Sequence, residues 1–290
     1  MDTIDEIESD IKSLKIQGAT NVALATLQGL RISLGRDIGD IKRIANRLAY
    51  ARPTEPLAQN AVRYIFYSLT NKEKITQKIA EYESYLQEAK STIVKNSHDL
   101  VADNGEYLTH CHSSTAVSIF KSAIVKNYKF SVYVTETRPL FQGRITAKEL
   151  ITSGVGKVTF LIDDAVYSLI NKLAEKINAI FIGADLLSNS GFVNKVGSLG
   201  LVSEANRLHI PVYSFSTLLK YDPRQYEETL LEKRDGQEIW SEAPKGLSFF
   251  APAFDYIPYF ENVSIVTEVG ILKGKEIRNQ ALIKYPFIKN

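Results

Sequence analysis

The sequence predicts an α/β protein: a helical amino-terminal domain, residues 1–104, followed by an α/β domain, residues 105–290, whose sheet is mainly parallel. Two observations carry this. Through the first hundred residues apolar side chains recur at three- and four-residue spacing, as in Ile4, Ile7, Ile11 and Leu14, the period of an amphipathic helix. From Gly105 onward short apolar runs alternate with helical patterns of about 10 to 15 residues, the signature of βαβ units.

Each element has a local reason. The first helical pattern starts at Ile4 and stops at Gly18; a second runs from Asn21 to Ser33 and a third from Ile38 to Tyr50. Pro53 and Pro56 then interrupt, because proline lacks the donor a helix interior needs. Further helices are expected over Asn60 to Tyr67 and, long and charged, over Asn71 to Val101. The expected strands are Tyr107 to His110, Lys129 to Thr135, Lys157 to Ile162, Ala179 to Gly183, Val212 to Phe215 and Val263 to Thr267. Ser113 to Lys126 reads as a helix with Val117, Phe120, Ala123 and Ile124 on its apolar face.

Composition narrows the function classes. A chain of 290 residues with 44% hydrophobic content buries a substantial core. One cysteine excludes an internal disulfide. The opening MDTIDEIESD has no secretory pattern, and no apolar run reaches the roughly 18 residues of a membrane span, so a cytoplasmic protein is expected. The net charge of +2 comes from 35 basic and 33 acidic residues without a long single-sign block, which gives no electrostatic reason to expect nucleic-acid binding. The aromatic run FFAPAFDYIPYF, Phe249 to Phe260, reads either as an irregular segment covering the core or as part of a subunit interface.

The chemistry concentrates in two stretches. In YLTHCHSST, Tyr107 to Thr115, the lone Cys111 lies between His110 and His112 at a strand-to-helix turn. A lone cysteine is commonly a small buried hydrophobe, but the helix dipole and flanking imidazoles at such a turn favour thiolate. His110 and His112, alternating on a strand, would share the face opposite Cys111, poor geometry for a shared metal. The second stretch, GADLLSNSGFVNKVGS, Gly183 to Ser198, reads as a loop leaving a strand and entering a helix near Asn194. It is either an anion-binding loop of backbone amides with Lys195, or a polar connection without ligand. Its glycines match neither a Walker loop nor a dinucleotide fingerprint. Asp185 follows its strand as Cys111 follows another, so in a parallel sheet both project at the edge where ligands bind.

These residues also carry a resemblance. THCHSS at Thr109 to Ser114, VTETRPLFQGRITAKEL at Val134 to Leu150, and GAD with NKVG at Asn194 to Gly197 resemble the family that joins ribose-1,5-bisphosphate isomerase, methylthioribose-1-phosphate isomerase and the α, β and δ regulatory subunits of translation initiation factor 2B. LKIQGAT, ARPT at Ala51 to Thr54, LLKYDP around Lys220 and PAFDYIP around Asp255 keep the family's order. The resemblance implies a Rossmann-like α/β domain, a catalytic thiol at Cys111 and a catalytic acid at Asp185. It implies phosphate and sugar contacts from Gln17, Gly18, Ala19, Thr20, Arg52, Ser113, Ser114, Thr115, Asn194, Lys195 and Lys220. No metal or organic cofactor is implied. The implied partners are a phosphorylated sugar or nucleotide and further copies of the chain, as a homodimer or a homohexamer.

His-Cys-His followed by Ser113 is closer to the archaeal-type ribose-1,5-bisphosphate branch than to the methylthioribose branch. Regulatory subunits, which contact initiation factor 2, commonly lack one or both catalytic positions, whereas this chain has both. One departure stands out: Gln17 replaces the arginine usual in the isomerases. A charge-assisted phosphate contact becomes a neutral one, at a cost on the order of 1.5 to 3 kcal/mol. The resemblance implies aldose-to-ketose isomerisation of a ribose 1-phosphate type substrate, ribose 1,5-bisphosphate to ribulose 1,5-bisphosphate first; the alternatives are a non-catalytic regulatory subunit that binds a nucleotide or sugar phosphate and contacts initiation factor 2, and a methylthioribose-1-phosphate isomerase. By the same resemblance Arg138 and Arg144 build the site wall or a dimer contact. Asp163 or Asp164, and Glu136, read as pocket supports, while His98 and His209 read as ordinary residues in helical contexts.

Overall fold

The computed structural model describes residues 3–69, 71–224 and 232–289. Its amino-terminal part is a bundle of α1 (Ile4–Lys12), α2 (Ala19–Ser33), α3 (Ile38–Ala49), α4 (Pro56–Phe66) and α5 (Lys74–Asn96). Helix α1 opens with a capping box: the Thr3 hydroxyl accepts from Glu6 N at 3.2 Å and the Glu6 carboxylate accepts from Thr3 N at 2.5 Å. It ends at Lys12, earlier than the Gly18 stop expected, and Gly18 instead begins α2, at φ +82. Pro56 likewise begins α4 rather than interrupting, since the first helical position needs no donor.

Strands and helices then alternate as expected: β1 (Glu106–Thr109), α6 (Ser114–Val125), β2 (Ser131–Thr135), α7 (Gln142–Thr152), β3 (Lys157–Leu161), α8 (Ala165–Leu173) and β4 (Ile177–Gly183). The next segment differs from the sequence reading. Between Gly183 and Ser198 the chain makes β5 (Leu186–Leu187) and β6 (Gly191–Lys195), and α9 (Ser198–Arg207) starts only after Gly197. Asn194 and Lys195 therefore sit on a strand, not at a helix start. After α9 come β7 (Val212–Phe215), β8 (Phe254–Pro258), β9 (Val263–Thr267), β10 (Gly270–Leu272) and α10 (Gly274–Lys284).

Among the described residues, seven strands form one sheet in the order β10-β9-β7-β4-β1-β2-β3, parallel except for β10. The chain starts in the middle with β1, steps outward through β2 and β3, and returns to the other side of β1 with β4. The crossover direction thus reverses between β1 and β4, the switch point at which a parallel sheet opens a crevice beyond its carboxyl ends. A second sheet, β5-β6-β8, is antiparallel. It absorbs the middle of the aromatic run: Phe254 to Pro258 pair residue by residue with Lys195 to Gly191.

Alternation along the strands divides the core. Leu108, Ile180, Ile182, Val212 and Ile265 share one apolar cluster with the amino-terminal bundle, α8, α9 and α10. Tyr107, Val132, Val134, Phe181 and Phe215 face the other way into α6, α7 and the end of α5. The change of texture at residue 105 marks the first strand, while the first of these clusters runs across it without a break. No helix of the described residues is long and apolar enough to cross a membrane.

One glycine fixes how α7 meets the sheet edge. A Cβ on Gly143 would stand 1.7 Å from the Thr135 carbonyl oxygen at the end of β2, so only hydrogen fits. Gly143→Ala is expected to lower stability by about 1–3 kcal/mol, the range for an overpacked contact, read as a lower urea midpoint at unchanged slope.

Candidate active site

Strand β1 ends at Thr109 and hands the chain to a turn held on every side. The buried His110 ring lies 2.7 Å from Thr135 Oγ1 through Nδ1 and 2.8 Å from the Val196 carbonyl through Nε2. A carbonyl only accepts, so Nε2 carries the proton and Nδ1 accepts from the threonine. Burial keeps this imidazole below its ordinary pKa, hence neutral. Cys111 follows in the left-handed region, at φ +69, so β1's alternation does not continue through His112 and the shared histidine face expected from the sequence does not form. The Cys111 amide donates to Thr137 Oγ1 at 2.9 Å, and its carbonyl accepts from Thr146 Oγ1 at 3.0 Å. His112 Nδ1 meets the same Thr146 hydroxyl at 3.1 Å.

The residues that hold this turn are anchored in their own right. Asp163, just past β3, accepts from the amides of Thr137 and Arg138, each at 2.7 Å. Asp163 thus fixes the loop that fixes Cys111. Arg138 and Arg144 both lie against the Phe141 ring, with guanidinium carbons 4.9 Å and 3.7 Å from its centroid. Glu136 is 3.7 Å from Arg144.

On the other side of the switch point Asp185 follows β4 and its amide donates to Val193 O at 2.8 Å, which ties it to β6. Gly183 keeps the two sides close: a Cβ there would meet Ser113 Cβ and Oγ at 3.2 Å and Asn194 Oδ1 at 3.9 Å. Ser113 caps α6, accepting from Ala116 N at 3.3 Å, and Ser114 and Thr115 form the helix's first turn. Asn194 is buried and donates to Ser198 Oγ at 2.9 Å. Lys195 is 9% exposed and stands over the Phe254 ring, and Lys220 donates to the Ala184 carbonyl at 2.5 Å. The start of α9 is closed by Asp255, which accepts from the amides of Gly197 and Leu199 at 2.8 and 2.9 Å. The anion-binding helix start expected near Asn194 is therefore already occupied by a carboxylate of β8.

Arg52, from the loop before α4, reaches the same edge. It is buried and paired with Glu55 at 3.0 Å and Glu232 at 2.8 Å, and the Asp185 charge acts on it. Gln17 and the N-cap Gly18 lead into α2, whose first turn holds Ala19 and Thr20. Among the described residues no hydrogen bond or ion pair links these four to Cys111, Asp185 or the lysines. The sequence reading missed Thr137, Thr146, Glu55 and Glu232. Thr137 could have been found by the edge rule that found Asp185, because it too follows a strand of the parallel sheet.

The electrostatics correct one expectation. Cys111 is a free, half-buried thiol, pushed up to about 11 mainly by burial, with Lys195 opposing and the Asp185 and Asp163 carboxylates adding to the rise. Helix dipole and imidazoles do not make it a resting thiolate, because desolvation dominates and His110 is neutral. Thiolate forms as pH rises, so alkylation by iodoacetamide is expected to be slow at pH 7 and to climb about tenfold per pH unit from pH 8 to 10. Lys195→Met removes the opposing charge and should slow it further at each pH. A plateau reached below pH 8 would contradict this.

Comparison with known proteins places this arrangement. A model of the "Initiation factor 2 subunit family" matches residues 15–274. The ribose 1,5-bisphosphate isomerase of Methanocaldococcus jannaschii is 30% identical over 288 residues, covering 94% of this chain and 92% of that protein. The methylthioribose-1-phosphate isomerase of Thermotoga maritima is 29% identical, covering 93% and 87%. Among solved structures, the translation initiation factor eIF-2B of Pyrococcus horikoshii OT3 superposes with a TM-score of 0.81 at 23% identity, over 93% of this chain and 96% of that one. The tetrameric eIF2B-beta2-delta2 complex of C. thermophilum contains a chain that superposes at 0.73 with 18% identity, over 96% and 94%. With its whole architecture and most of its length matched in this way, the chain belongs to the Initiation factor 2 subunit family.

Proposed function

We propose that this protein is an aldose–ketose isomerase acting on a ribose that carries phosphate on C1, with ribose 1,5-bisphosphate to ribulose 1,5-bisphosphate as the first reaction to test. The observation that carries the reading is Cys111 and Asp185 at the carboxyl ends of adjacent parallel strands, with the Asp185 charge acting on the thiol. The names of the relatives support the reaction class.

In this reading Asp185 donates a proton to the ring oxygen and opens the furanose. Hydrogen then moves from C2 to C1. Either it moves as hydride while Cys111 thiolate takes the C2 hydroxyl proton, or Cys111 takes the C2 proton and returns it to C1 through an enolate. Both routes need Asp185 protonated and Cys111 ionised. That state differs from the carboxylate-plus-thiol state by the position of one proton. A carboxylate at Asp185 raises the thiol pKa, so a proton residing on Asp185 eases ionisation of Cys111. Lys195, Lys220, Arg52 and the first turn of α6 hold the phosphorylated sugar, and the binding is spent on orientation.

The assembly expected from the sequence, a homodimer or homohexamer, belongs to the same reading. It is supported by Phe160 and Ile162, 45% and 64% exposed at the end of edge strand β3. A regulatory subunit that binds a sugar phosphate or nucleotide and contacts initiation factor 2 is the second reading. It is favoured by Gln17, which brings no charge, and by Arg52 being engaged by two carboxylates.

Incubation with ribose 1,5-bisphosphate, ribose 1-phosphate and methylthioribose 1-phosphate, followed by NMR, separates the readings. Ketose is expected from at least one of them, with kcat reduced at least about a thousandfold in Cys111→Ser and in Asp185→Asn. Folded protein that binds these sugars and converts none favours the regulatory subunit.

A further inference from the structure

Two polar groups at the edge of this site are buried without a partner. Among the described residues, Glu55 Oε2 and Thr54 Oγ1 make no hydrogen bond, although Glu55 is only 1% exposed. Native interiors leave few such atoms orphaned, and a buried carboxylate oxygen is among the most costly. Both residues immediately precede Pro56, where α4 begins with no side-chain cap. The first turn of that helix thus keeps its positive end open. Glu55 Oε1 lies 3.0 Å from Arg52 Nη1, and Glu232 Oε2 holds the same guanidinium from Nε and Nη2 at 3.2 and 2.8 Å. The α4 helix is held against the sheet edge by Asn60, which donates to the carbonyls of Leu219 and Tyr221 on either side of Lys220.

A helix start, an arginine and an unpartnered hydroxyl together form the donor set of an anion site. The anion that meets these donors in the structure is the protein's own Glu55. We propose that Glu55 is a proton-linked member of this anion site, holding Arg52 while the site is empty and taking up one proton when a phosphate dianion displaces it. Protonated Glu55 then changes from a competitor for Arg52 into a donor to the phosphate, and its orphan oxygen gains a partner.

The charges facing Glu55 are those of Arg52 in its own loop, Asp185 after β4, Lys220 after β7 and Glu232. Glu232 is shared with Arg234 at 2.9 Å. Arg224, which donates to Pro53 O, is paired with Asp222. Burial pushes the Glu55 carboxyl up to about 7, with Arg52 and Lys220 opposing and Asp185 and Glu232 adding to the rise. The group is therefore poised to exchange a proton near neutrality, and an incoming dianion favours its neutral form further.

The inference rests on reading this edge as the sugar-phosphate site. Titration calorimetry of the full chain with inorganic phosphate and with ribose 1-phosphate, each in two buffers of different ionisation enthalpy, measures proton uptake directly. Between pH 7.5 and 8.5 ribose 1-phosphate, a phosphate monoester with a second pKa of about 6, is already a dianion; inorganic phosphate still titrates at the lower end of this range, so its own proton release is subtracted and the uptake is read from the sugar phosphate. Wild-type protein is expected to take up about 0.7 to 1 proton per ligand, and its Kd to weaken about five- to tenfold across that unit. Glu55→Gln, which keeps shape and removes the titration, should take up less than about 0.1 proton with Kd changing less than twofold. Pairing the titrations with the NMR assay separates the two claims. Binding with proton uptake but no ketose removes the isomerase reading and keeps this one. Ketose formation with pH-independent binding, or equal uptake in wild type and Glu55→Gln, overturns this one alone. No binding of either ligand at any pH overturns both.

Discussion

The site depends on the reversal of crossover direction between the parallel neighbours β1 and β4. The crossovers from β1 to β2 and from β2 to β3 carry α6 and α7 to one side, whereas β4 and β7 lie on the other, so the two halves of the fold depart in opposite directions. The carboxyl ends of β1 and β4 are left open between them. Parallel neighbours stand about 4.8 Å apart, so whatever follows these two strands is forced together. Cys111 follows one and Asp185 the other. The start of α6, the β5–β6 excursion and the loop before α4 then wall the same gap, each delivered by an element that is packed for its own reasons.

The charged groups of the site are satisfied by groups of the protein itself. Arg52 is held by two carboxylates, Lys220 by the Ala184 carbonyl, the start of α9 by Asp255, and Lys195 stands over an aromatic ring. Few of its charges wait free for a ligand. A phosphorylated molecule entering here exchanges partners with the protein, so the net gain is smaller than a count of nearby cations suggests. The same burial that makes those contacts strong also keeps the Cys111 thiol protonated.

Much of this was legible in the sequence because helical and strand periods are local properties. The strands around Cys111 and Asp185, and their meeting at one edge, followed from apolar runs and βαβ spacing alone. What escaped was long-range pairing. Nothing within Gly183 to Ser198 announces that Gly191 to Lys195 will pair with Phe254 to Pro258, and without that partner the stretch reads as a polar loop. The Cys111 turn was misread for a similar reason, since alternation holds only while a strand lasts and β1 ends two residues earlier. Glu55, between Pro53 and Pro56, carries no local signal of burial, because α4 is held by the distant segment around Lys220.

The dependence of the thiol on β8 also bears on synthesis. His110, beside Cys111, rests on the Val196 carbonyl, while the Val196 amide is held by Ala253 O and the neighbouring Gly197 amide by Asp255. Chain growth proceeds from the amino terminus, so Cys111 is made roughly 140 residues before the strand that completes its surroundings, an interval of about seven to thirty seconds at ordinary elongation rates. Until then the contacts that Ala253 and Asp255 make with Val196 and Gly197, behind His110, are absent. The nascent chain therefore passes through a stage in which its only cysteine is more open to oxidants than at any point in the finished protein.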